Sequence, residues 1–163
     1  MTASRMLAKE LLRLCLRLVN GRRTDVTIGG TERPYLLRWW LLPRNPFFNV
    51  YLHRFIRSDD DRALHDHMYV NLSVLLDGAY TEHTIRAGGV NVRKLYRAGD
   101  VKFRWPWQAH RIELTHGPCW SLFITGPRVR NWYFHCENAG LVPWQDFVAA
   151  DDNGAVGRGC GEN

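Results

Sequence analysis

Two periodicities divide the chain. From residue 3 to 19, Leu7, Leu11, Leu14 and Leu18 recur at helical spacing while Arg5, Lys9, Arg13 and Arg17 step by four along another face, which predicts a basic amphipathic helix. Asn20-Gly21 supplies its stop. After Gly29-Gly30 the period shortens. Runs rich in Val, Ile, Tyr, Phe and Trp follow at about 35–42, 48–57, 69–76, 79–86, 91–97, 101–105, 109–114, 119–125 and 129–135, separated by Gly, Pro, Asn and Asp. Strands this short and evenly spaced predict an all-β sandwich or barrel. In Val101-Lys102-Phe103-Arg104-Trp105 the apolar side chains fall on one face and the bases on the other, as in a half-buried strand. Residues 151–163 are polar and Gly-rich, the composition of a disordered tail. The reading is a helix over 1–22, a barrel over 31–148 that ends its order near Phe147, and a loose tail over 149–163.

A length of 163 residues fits one domain. A 45% apolar share is enough for a core without disulfide staples. No window approaches the ~18 apolar residues of a membrane span, and the start lacks a signal peptide's apolar region, so a cytoplasmic protein without membrane insertion is expected. The formal charge is +6, but its 19 Arg and 3 Lys are scattered, with no run longer than Arg22-Arg23. Nucleic-acid binding favours a clustered patch, so a nucleic acid is not the expected partner. Cys15, Cys119, Cys136 and Cys160 form no CxxC pair, which reads as free thiols in a reducing compartment, Cys119 and Cys136 in the core and Cys160 exposed.

The histidines carry more information than the charge. If His65-Asp66-His67 is extended, both imidazoles share one face and can reach one metal ion at ~2.0–2.2 Å. His110 opens a later strand after the Gly99-Asp100 turn and is the third candidate ligand. Glu82 alternates with Tyr80 on one face of its strand, giving two candidate catalytic groups, with Glu82 as a carboxylate behind or beside the metal. Trp105, Trp107, Trp120, Trp132 and Phe123 are candidate cavity walls or core. His53 is read as a hydrogen-bonded core residue, His83 as facing outward, and His135 as lying beyond the last strand.

From about residue 48 to 127 the order of these elements resembles the cupin superfamily: HDH, a β run, Gly78, a strand with Tyr80 and Glu82, a hairpin, a Gly-Asp turn, Pro106 and His110. The resemblance implies a double-stranded β-helix, a jelly-roll-like barrel, behind the N-terminal helix. It also implies a homodimer. Asn71 stands where the cupin motif has a Glu, which leaves a neutral three-His set. Locally, His65-Asp66-His67 with Gly78 and Glu82, Ala109-His110-Arg111-Ile112-Glu113, and Pro118-Cys119-Trp120-Ser121-Leu122 resemble thiol dioxygenases such as cysteine dioxygenase. That likeness implies Fe(II), O₂ and a small thiol- or carboxylate-bearing substrate, with Mn, Ni and Zn also suited to imidazole. Thr125 stands at that family's catalytic Tyr and Arg44 at its carboxylate-binding Arg. Arg44, Arg54, Arg104, Asn71 and Thr125 are the candidate substrate-binding residues. A non-redox cupin, an isomerase, epimerase or small-molecule sensor, is the alternative.

Overall fold

The structure is a computed structural model that describes residues 2–59, 63–152 and 154–161. Asp60 and Asp61 of the acidic turn and the end of the tail lie outside them. Helix α1 spans Ala3–Leu18, and twelve strands follow. These are β1 (Val26–Ile28), β2 (Leu36–Trp40), β3 (Asn49–Phe55), β4 (Leu64–His65), β5 (Asn71–Asp77), β6 (Ala79–Arg86), β7 (Val90–Arg97), β8 (Val101–Arg104), β9 (His110–Leu114), β10 (Cys119–Thr125), β11 (Tyr133–Cys136) and β12 (Gly140–Pro143). A four-residue helix α2 closes the series at Trp144–Phe147. The strands form two antiparallel sheets, β1-β2-β3-β10-β5-β8 and β12-β11-β4-β9-β6-β7. The expected barrel is thus two facing sheets whose hydrogen-bonded ladders do not close on each other.

Helix α1 buries Ala8, Leu12, Cys15 and Val19 against Trp39, Leu52, Leu76 and Leu122 of the first sheet. This cluster lies on the outside of that sheet. Its burial draws on all four strands β2, β3, β5 and β10, so the helix is fixed by packing more than by its own propensity. A second cluster, with Leu36, Phe55, Leu75 and Ile112, closes one end of the space between the sheets. Gly78 makes the turn from β5 to β6 at φ +81°, and a Cβ there would stand 2.7 Å from the Cys119 Cβ. The tight turn therefore requires glycine.

Alternation along β8 runs opposite to ordinary expectation. Lys102 and Arg104 are buried between the sheets, whereas Val101 and Phe103 are more than half exposed. The cause is a buried carboxylate: Glu82 of β6 contacts both cations, and a buried charge persists only when paired.

The C-terminal segment also differs from the sequence reading. Val148 bridges Val156, the Gly157 and Gly159 amides donate to the Phe147 carbonyl, and Cys160 forms a disulfide with Cys136 of β11. Cys136 and Cys160 are therefore not free thiols, and the residues expected to be loose are tied to the second sheet. Cys15 and Cys119 are free and buried. No helix of the described residues is long and apolar enough to cross a membrane.

Candidate metal centre

The shortest strand positions the site. β4 pairs His65 with His110 of β9 across the second sheet. His67 follows just beyond β4, where its amide donates to the Pro106 carbonyl at 2.9 Å. A ligand nitrogen from each of His65, His67 and His110 lies within 4.8 Å of the other two. The Nε2 atoms of His67 and His110 are 2.9 Å apart. Two imidazoles bound at ~2.1 Å and near a right angle on one ion stand about 3 Å apart, so this spacing fits a shared divalent metal.

Electrostatics favour the same use. Burial, with the Arg104 guanidinium second, brings the His65 imidazole down to about 4. His67 and His110 are held well below the usual imidazole range, again chiefly by burial. All three rings are therefore neutral near pH 7 and offer lone pairs without first releasing a proton.

Two carboxylates support the three histidines. Glu82 Oε1 lies 2.9 Å from His110 Nδ1, off the line of an aligned hydrogen bond, so the carboxylate acts on the neutral ring by proximity. The same oxygen accepts from Lys102 Nζ at 2.6 Å and contacts the Arg104 guanidinium. Glu82 thus stands behind His110, where it favours the tautomer that turns Nε2 toward the other ligands. Asp66, between the first two histidines, is buried and points away from them. It accepts from the Tyr133 amide at 2.8 Å and pairs with Arg130 and His135 at 2.7 and 3.1 Å. Burial raises the Asp66 pKa, but the hydrogen bonds from His135, Arg130 and Tyr133 outweigh it and hold the carboxyl below its ordinary value. The HDH segment is thereby fastened to β11, and His135 lies on a strand after all.

The cavity beside the three histidines encloses about 220 Å³ and is lined by both sheets. Tyr80, Lys102 and Arg104 reach it, as do Trp132 and Phe123. Lys102 Nζ donates to the Tyr80 hydroxyl at 2.8 Å. Burial lowers this ammonium to about 8, with the Glu82 charge pulling the other way. Burial also pushes the Tyr80 phenol well above its usual value, so it stays protonated.

The structure does not bring the other candidates to the cavity. Arg44 is exposed, with its guanidinium 4.9 Å from the centre of the Trp40 ring. Arg54 lies on the outer face of β3 over Trp120. Asn71 and Thr125 are register partners buried past the end of the cavity, and their side chains have no hydrogen-bond partner. Trp120 packs outward against Trp39, and Trp105 and Trp107 stack on each other in the open. His83 is buried and paired with Glu113 at 2.6 Å instead of facing solvent.

Sequence reasoning missed Arg38. It lies on the cavity side of β2 opposite His53, and its Nε donates to His53 Nε2 at 2.8 Å. Burial, reinforced by the Arg38 charge, keeps His53 neutral, which lets its ring accept that bond. The cavity cations Lys102 and Arg104 are paired with Glu82, whereas Arg38 has only neutral partners among the described residues, the His53 imidazole and the Tyr51 ring, whose centre is 4.8 Å from its guanidinium. Its signal in the sequence was parity, since Leu36, Arg38 and Trp40 alternate with Leu37 and Trp39, but which face turned inward was not readable.

No family model matches the chain, and no curated protein matches it by sequence. Solved structures do match. Oxalate decarboxylase of Bacillus subtilis, in its pH 4.6 structure, aligns over 78% of this chain at TM-score 0.51 and 14% identity, and this chain spans 31% of that one. A structure of the same enzyme from a study of its Mn(II) centres aligns over 69% of this chain and 30% of that one, at TM-score 0.50 and 16% identity. An uncharacterised Klebsiella pneumoniae protein with a double-stranded β-helix domain aligns over 61% of this chain and 78% of that one, at TM-score 0.48 and 15% identity. Two facing antiparallel sheets, with an HxH pair and a third histidine converging between them, give this chain the double-stranded β-helix fold of the cupins.

Proposed function

We propose that the protein is a mononuclear metal-dependent cupin enzyme, an Fe(II) dioxygenase of a small substrate that carries a carboxylate or a comparable anionic group. The observation that carries this reading is the opening of three neutral imidazoles onto a cavity whose Arg38 has no acidic partner among the described residues. His65, His67 and His110 would hold the ion, which would supply open coordination positions and redox chemistry at the cavity wall. Arg38, braced by His53, binds the substrate anion with its remaining N–H groups. Phe123 stacks on His53 with centroids 4.9 Å apart and lies 6.0 Å from the His67 ring. It therefore sets the span between anion and ligands. Lys102 Nζ holds a proton that it can give near neutral pH, and Tyr80 keeps its own. Aromatic walls exclude bulk water.

Manganese and non-redox chemistry form the second reading. The fold is shared with oxalate decarboxylase, a protein with Mn(II) centres, and three imidazoles suit either ion. Elemental analysis of protein purified without chelators, followed by oxygen-uptake assays on small carboxylates and thiols, separates the two. Stoichiometric iron with oxygen consumption supports the first reading. Turnover that is equal with and without air supports the second, and no metal at all overturns both.

A further inference from the structure

The outer face of the first sheet is larger than α1 covers. The helix sits over the row formed by Trp39, Leu52, Leu122 and Val74. The next row, Val50–Ile124–Leu72–Phe103, is continuous by strand register. Its first three residues are half-buried, and Phe103 is 54% exposed. Arg5 and Lys9 lie over the opposite end of β5, at Asp77 and Gly78, so the other flank of α1 turns toward this row, where Val50 and Ile124 touch the edge of the helix cluster and Phe103 stands clear of it. That flank carries Leu7, Leu14 and Leu18, all more than half exposed.

Exposed aromatics extend the same surface. Phe103 packs edge-on against Trp105, which stacks on Trp107. Asn49, Thr125, Asn71 and Arg104 form one register row across the sheet. Phe47 and Phe48, just before Asn49, therefore stand at the same end as Trp105, just after Arg104, and Phe47 is 74% exposed. Exposed apolar side chains gathered at one end of a face in this way mark an interaction site.

We propose that this face docks on an anionic lipid surface, as peripheral contact without insertion. Charge selects the occupant. Glu10 is the sole acidic residue in segments 3–18, 41–50, 71–74, 101–107 and 122–130 that build or border the face, whereas Arg13, Arg17, Arg44 and Arg128 lie among the exposed residues there. A two-fold contact with a second copy would set these arginines against one another with little acid to offset them. Exposed Trp and Phe beside Arg match the composition of a membrane interface, where the rings lie at headgroup level and the bases meet lipid phosphates.

The test is co-sedimentation of the full chain with vesicles of mixed phosphatidylglycerol and phosphatidylcholine, or of phosphatidylcholine alone. Roughly tenfold more protein should pellet with the anionic vesicles, and raised salt should release it. Trp107→Ser and Phe47→Ser change exposed side chains, so both variants should keep their fold and metal content while losing most of that binding. Equal pelleting with both vesicles, or with neither, overturns the proposal. So does a dimer in light scattering that Trp107→Ser dissociates, because the face would then belong to a second copy.

Discussion

On β10, Ser121 and Thr125 turn toward the second sheet while Leu122 and Ile124 turn toward α1, and the same division holds on β5 for Asn71 and Ser73 against Leu72 and Val74. The two faces of one sheet thus do different work. Beneath the helix, Leu52 and Leu122 bury apolar surface with no polar group to satisfy. Between the sheets, His53, Ser73, Lys102, Arg104 and Ser121 are buried as deeply, and all five are polar groups that need partners. Stability rests mainly on the outside of the sheet and chemistry on the inside. An inside-out assignment of the faces would misplace both.

Four perturbations bear on this division. The largest effect should come from Glu82→Leu, which leaves Lys102 and Arg104 buried without a counter-charge and should cost about 3–5 kcal/mol in denaturant unfolding. It should also weaken metal binding roughly 10–100-fold in a chelator competition, through the lost support of His110. Adding Lys102→Met should restore part of the stability. Leu52→Ala, on the outer face and fully buried, should cost about 3 kcal/mol by transfer and cavity terms while leaving metal affinity unchanged in the folded fraction. If the two substitutions had the same effect on metal, the separation of the faces would fail.

Acid should act through the inner face. The folded protein keeps His53, His65, His67 and His110 neutral, whereas an unfolded chain protonates them below about 6.5. The unfolded state then binds more protons, so the metal-free protein should lose stability as pH falls from about 6.5 toward 4. Urea midpoints measured across that window would show it, and a flat profile would contradict the neutral rings. The smallest effect is expected at Thr125→Val. Its buried hydroxyl has no partner among the described residues, so removing it should be neutral or stabilising by up to about 1 kcal/mol in thermal unfolding. A loss of several times that size would mean the hydroxyl is bonded after all.

Much of this was legible in the chain. The helical stripe and nine of the strands follow from period and spacing; period also pairs His65 with His67, and His110 was added to them by the cupin-like order of elements. β1 and β4 have 3 and 2 residues, too few for a period to register, yet β4 delivers His65; β12 is Gly140-Leu141-Val142-Pro143, whose Gly and Pro read as turn residues. The disulfide joins residues 24 apart without a spacing motif. Which side of β8 faces inward was hidden because alternation fixes parity and not direction. The choice depends on Glu82, 20 residues away on another strand. The same ambiguity hid Arg38, while the family resemblance drew attention to Arg44, whose side chain is exposed over Trp40.

The packing of α1 also has a consequence in time. It precedes every partner it needs, which run from Trp39 to Leu122. During synthesis its buried stripe lacks these partners until β10 has emerged, so an element made before them is among the last to be placed. Throughout that interval Leu12 and Val19 are open to chaperones, and a slow step in translation before residue 122 would lengthen the exposure.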